Sequence, residues 1–155
     1  MLARLVFALL VVACFLAFFL TQRLKHTPTA VQRFELTPRF SPGSPISANR
    51  QERISFKVAT AGEVTVEIID SRGDTVATLV RDHPLPRYKQ FSLRWSGRQG
   101  TAHRFGHVVS PSGHEALVPV IHGRLAPAGE YRVRVILGEQ GREVLSPRSF
   151  ALGGP

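Results

Sequence analysis

Hydrophobic and polar residues follow two different rhythms along this chain. Residues 5–20 are continuously apolar, with no charged residue, no Gly and no Pro. With the residues before them they reach the roughly 17–25 positions that a helix needs to cross a hydrocarbon core. This pattern predicts a transmembrane signal-anchor helix over 1–21, holding the membrane through 5–20. Two processing alternatives compete with it. Signal-peptide cleavage needs small residues after the apolar run, which instead ends Phe18-Phe19-Leu20-Thr21-Gln22. Lipidation would use Val11-Val12-Ala13-Cys14, but Cys14 is followed by Phe-Leu-Ala-Phe-Phe-Leu and not by a polar tether. Residues 22–33 are polar, include Pro28 and show no period, so they read as a linker.

Beyond the linker the period is two. Ile54, Phe56 and Val58 alternate with Arg53, Ser55 and Lys57, and Val64, Val66 and Ile68 with Thr65 and Glu67. Phe91, Leu93 and Trp95 alternate with Gln90, Ser92 and Arg94; Tyr131, Val133, Val135 and Leu137 follow the same rule. Strands with one dry and one wet face produce this pattern. Turn clusters at 70–74 and 138–142 supply glycines for tight hairpins. A strand over 75–80 is expected to stop before Pro84 and Pro86, which cannot donate to a ladder. The last strand is expected over 143–150. No stretch after Leu20 has helical spacing, so the expected class is all-β, a sandwich of short strands. Residues 98–128 break the rhythm, being dense in Gly, Pro, Ser and His. They predict a long loop with a strand within 116–121, the kind of insertion that carries function on a rigid scaffold.

The order of these elements resembles a known family. Phe40-Ser41-Pro42-Gly43, Ile54-Ser55-Phe56-Lys57-Val58 and Val64-Thr65-Val66-Glu67-Ile68-Ile69-Asp70 are similar to the immunoglobulin-like domain of the flagellar hook-capping type. The likeness continues through Gly73, Leu93-x-Trp95-x-Gly97, Pro127-Ala128-Gly129-Glu130-Tyr131 and Ser146-Pro147-Arg148-Ser149-Phe150, covering 34–152. It implies an immunoglobulin-like β-sandwich serving as an accessory, adhesive or assembly module, with no catalysis and no cofactor. It also implies that the domain lies outside the cytoplasm, against a weak contrary signal from the flanks, where Arg23, Lys25 and Arg33 slightly outnumber Arg4 and the α-amine. Two departures stand out. The opening loop 41–47 has no carboxylate for a calcium site, and 98–128 is longer than the compact turn of the family.

Composition sharpens this picture. Of 155 residues 43% are hydrophobic, which excludes a disordered chain. The single cysteine lies in the apolar run, so the domain has neither disulfide nor thiolate. Net charge is +9, from 20 Lys and Arg against 11 Asp and Glu. That balance favours anionic partners such as lipid headgroups or acidic cell-wall polymers, and an envelope protein is the other expected partner. Nucleic acid is not expected, because no basic helix or aromatic-interleaved basic strand is present.

Several residue groups are candidates for chemistry. His103, His107, His114 and His122 fall in the insertion and could ligate Zn²⁺ or Cu²⁺, which makes a metal-binding protein or metal-dependent enzyme the rival reading. The spacing of His103 and His107 helps only on a helix, and Gly106 between them opposes one. Arg98, Arg104, Phe105, His107 and Arg124 are the candidates for partner contact. Trp95 and Tyr131 could form a sugar-stacking platform for a carbohydrate or wall-polymer module, although their alternating positions place them in the core. Arg72-Gly73-Asp74 is accounted for by the hairpin turn. Ser110 and His114 lack the nucleophile elbow of a hydrolase.

Overall fold

A computed structural model of the chain describes residues 6, 9–18, 29–109, 113 and 115–154. The period-two segments are strands, and the alternation decides which side of each is dry. The strands in chain order are β1 Val31–Leu36, β2 Arg39–Phe40, β3 Glu52–Val58, β4 Gly62–Ile69, β5 Thr75–Leu85 and β6 Gln90–Trp95. They continue with β7 Gly100–Thr101, β8 Arg104–Val109, β9 Glu115–Val120, β10 Gly129–Leu137, β11 Arg142–Leu145 and β12 Phe150–Leu152. One sheet has the order β1-β3-β6-β9-β8; the other runs β2-β12-β10-β4-β5-β7, with β11 also paired to β10.

The two sheets bury one core, so the all-β sandwich expectation is met. Ile54, Phe56 and Val58 of β3 pack with Val64, Val66 and Ile68 of β4 and with Tyr131, Val133 and Val135 of β10. Each is an odd or even member of its alternating strand, which is why one face of every sheet is dry. At one end of the core Trp95 meets Phe40, Tyr131 and Phe150 with ring centroids 5.6, 5.6 and 6.0 Å away. Edge-on aromatic contacts of this kind add about 0.5–1.5 kcal/mol each beyond area burial.

Four expectations are corrected. The strand at 75 does not stop before Pro84 but runs to Leu85, with Pro84 opposite Glu63 of β4. Its other side is paired to β7 only at Ala77 and Thr78, so the missing N–H of Pro84 breaks no bond there. The stretch read as linker already enters the sheet, since β1 begins at Val31. The final strand is two strands: at Ser146 the N–H still donates to Val133 O, but the Oγ takes over as acceptor of Val133 N–H and donates to Arg148 O, which ends the regular ladder with β10. The insertion 98–128 contains the strand expected within 116–121, as β9, but the remainder read as loop also holds β7 and β8.

Residues 9–18 are helical, with Leu9, Leu10, Phe15, Leu16 and Phe18 exposed and Cys14 free. Among the described residues no helix is long and apolar enough to cross a membrane. Apart from Val6, which is helical and exposed, the rest of the 1–21 span and residues 22–28 of the linker lie outside the described residues.

One core position is acidic. Glu52 is fully buried on the dry face of β3, across the ladder from Trp95. Its Oε1 accepts from Thr37 N–H at 2.8 Å, and its Oε2 has no partner among the described residues. Burial pushes its pKa from 4.5 up to about 8, against a smaller lowering by the Thr37 bond. The sign follows from linkage. Between pH 4.5 and about 8 the unfolded chain releases a proton that the folded chain keeps, so stability falls as pH rises through that window. We expect a loss of about 3–5 kcal/mol from this group. His83 opposes it below its ordinary value of 6.5, because burial lowers its pKa and stability there rises with pH. Urea unfolding across pH 4.5–8 should show the net decline for the native chain, and E52Q should abolish it, leaving the His83 rise.

Candidate functional site

The insertion leaves the core through a zipped neck. Trp95 Nε1 donates to Arg98 O at 2.9 Å, directly after the strand ends. Gln99 N–H then donates to Arg124 O and Ala126 N–H to Gly97 O, both at 2.8 Å, around an antiparallel bridge between Arg98 and Leu125. The Arg98 guanidinium donates to Gly123 O at 3.0 Å. A Cβ on Gly123 would stand 1.8 Å from Gln99 O, so glycine there is what lets the two backbones close. Ala102 N–H donates to Thr78 O, tying the outgoing strand to β5.

Past the neck the chain forms the β8–β9 pair. All six residues of β8 are in unbroken antiparallel register with β9, from Arg104 opposite Val120 to Val109 opposite Glu115. The pair joins the first sheet where β9 runs parallel to β6 at Leu93 and Leu117. Because β8 is the last strand in the order of that sheet, it is a solvent edge. Phe105 is 42%, Val109 61% and Val120 39% exposed. A cleft of about 550 Å³ lies beneath, bounded by Pro84 and Leu85 of β5, Phe91 of β6, Leu117 of β9 and His107 of β8. His83 stacks on Phe91 at its wall, 5.2 Å between centroids, and its burial lowers its pKa.

The electrostatics here are one-sided. Lys89 and His107 line the cleft with Glu115, while Arg98, Arg104 and Arg124 stand exposed around the pair. Among the described residues the ion pairs are Arg72 with Asp70 and Asp74 and Arg134 with Glu67. The arginines of the insertion have no acidic partner among the described residues.

The structure separates the predicted site residues into three groups. Arg104, Phe105 and His107 share β8, whereas Arg98 and Arg124 belong to the neck, where Arg98 holds the closure. His103 and His122 line a different cleft of about 480 Å³, away from that of His107. His114 and Ser110 lie outside the described residues. Among the described residues no three His, Cys, Asp or Glu gather as a metal site. Trp95 and Tyr131 are in the core and not on a platform. Arg72-Gly73-Asp74 is a hairpin turn, with Asp70 Oδ1 accepting from Arg72 and Asp74 N–H and Gly73 at φ 89°. Sequence reasoning missed Val109, Val120 and His83. The signal for Val109 and Val120 was present in the stretches 104–109 and 115–120, but Gly106 and Pro119 obscured it; His83 had none, lying where Pro84 and Pro86 were read as a break.

Neither the protein-family models nor the curated proteins contain a match to this chain.

Surface and core residues on this side of the molecule should respond differently to truncation. Val109→Ser is expected to change unfolding free energy by about 0.5 kcal/mol or less, and Leu93→Ala to lower it by about 2–5 kcal/mol. Chemical denaturation of both variants measures the contrast.

Proposed function

We propose that this chain is a non-catalytic, single-pass membrane protein whose extracytoplasmic immunoglobulin-like domain holds another envelope protein through the β8–β9 pair. The observation that carries the reading is an exposed, largely apolar sheet edge whose one arginine, Arg104, has no acidic partner among the described residues, mounted on a hydrogen-bonded neck. Such a surface is built for contact, since isolated soluble domains seldom leave a continuous edge uncovered.

The strand order supports the immunoglobulin-like part. β1, β3 and β6 follow the A-B-E order of one immunoglobulin sheet, and β11, β10, β4 and β5 follow G-F-C-C′ of the other. The β8–β9 pair stands beside β6, where strand D stands in the constant-type arrangement. Near the start of β10, Tyr131 donates its hydroxyl to Pro127 O at 2.6 Å, as a tyrosine corner does. The apolar run 5–20 supports the membrane anchor, and an absence of disulfides leaves packing alone to hold the domain.

The test is made in intact cells. A photocrosslinking residue at Phe105 or Val109 should trap a specific partner, whereas one at Arg72 on the distant hairpin should not. A cysteine at Val109 should react with a membrane-impermeant maleimide without lysis. Equal crosslinking from all three positions, or labelling only after lysis, overturns the reading.

A further inference from the structure

Among the described residues the sheets end on edges of very different character. β2 and β7 have two residues each. β1 is broken by a register shift between Gln32 and Glu35, with Arg33 at φ 49°. β11 has four residues and presents Arg142 and Glu143. Short length, bulges and charges are the devices that prevent a sheet edge from pairing with another chain. β8 has six residues, no proline and no bulge, and its one charge is at its first position. In an antiparallel pair, alternate residues of an edge strand direct N–H and C=O away from the neighbour. Half of the β8 backbone therefore faces outward, paired with no strand among the described residues.

The side chains of β8 set what would fit. Phe105, His107 and Val109 share the cleft side, while Arg104, Gly106 and Val108 share the other. Gly106 leaves the outer face low, and Val108 and Val120 flank it with apolar surface. Charge decides between occupants. Residues 98–126 contain Arg98, Arg104 and Arg124 against Glu115, in a chain of net charge +9. A second copy would bring like charge to the same edge, whereas an acidic segment meets arginines that lack acidic partners among the described residues.

We infer that β8 receives an extended segment of the partner protein as an added strand, with apolar side chains beside Phe105 and Val109 and carboxylates directed at Arg104 and Arg124. This rests on reading the β8–β9 pair as the contact surface. Backbone hydrogen bonds supply affinity in such strand addition, and the side pockets supply selectivity.

The probe is a short labelled peptide alternating valine and glutamate, titrated into the full chain in detergent micelles. Binding is expected by fluorescence anisotropy, weakening as salt is raised, and a peptide with lysine for glutamate should not bind. Hydrogen exchange should show gained protection at alternate amides of 104–109. Arg104→Glu should weaken binding about tenfold, and Phe105→Asp at least as much, with the unfolding midpoint used to confirm that each variant folds. Peptide binding without protection in 104–109, equal binding of the lysine peptide, or no binding overturns the inference. Protection of 104–109 that grows with protein concentration alone would assign the edge to a second copy and overturn it equally. Persistent crosslinks from Phe105 and Val109 in cells, with no peptide protection, would leave the contact surface standing and remove only the added strand. Loss of both removes the surface itself.

Discussion

Trp95 joins the core to the insertion, and the rest of the molecule is arranged around that junction. Its ring is completely buried against Phe40, Tyr131 and Phe150, so the end of β6 is held from both sheets at once. Its indole N–H needs a partner in that dry setting, and Arg98 O provides one three residues later. The chain is thereby turned out of the sheet at a defined angle. Gly97, at φ 83° and in close contact with Leu125 and Pro42, takes the turn that a side chain would obstruct. The returning residues 123–126 then close on 97–99, and the insertion emerges as a rigid extension of the scaffold.

That anchoring explains how a segment dense in Gly, Pro and His forms a strand pair at all. Isolated two-stranded hairpins are marginal in water. Here β9 pairs with β6 and buries Pro119, while β7 pairs with β5, so the hairpin borrows order from both sheets. The outer strand gains least from this. β8 keeps most of its surface in solvent, and its apolar side chains therefore remain available to another molecule. Glu52 marks the opposite situation, a polar group placed inside. Its carboxyl ties the β1–β2 connection to β3 through Thr37, at the cost of an unpaired oxygen that favours the neutral acid.

Much of this was legible from residue order. Period-two alternation at 54–58, 64–68, 91–95 and 131–137 identified the dry faces, because a strand with one buried side leaves no choice of register. The turn at Gly73 was readable for the same local reason, since only a few residues adopt positive φ without strain. The apolar run 5–20 declared a chemistry unlike that of the domain. Among the candidate contacts, Arg104, Phe105 and His107 were picked out because they lie in the segment that interrupts the strand rhythm.

Other features were decided only by tertiary contact. The strand within 116–121 was legible, but residues 104–109 become a strand because β9, itself docked on β6, offers a partner, and no local propensity reports that offer. The proline at 84 stays in a strand because its free side happens to have no neighbour to bond. Arg98 and Arg124 look equivalent to Arg104 in sequence, yet the neck employs Arg98 in its own closure. The four histidines of the insertion are close in number, but antiparallel pairing sends His107 to one cleft and His103 with His122 to another. Sequence determined which residues are dry and where the chain turns, since those depend on neighbours along the backbone. Which edge stays open, and which charges are left around it, depended on strand order, a property of residues far apart in the chain.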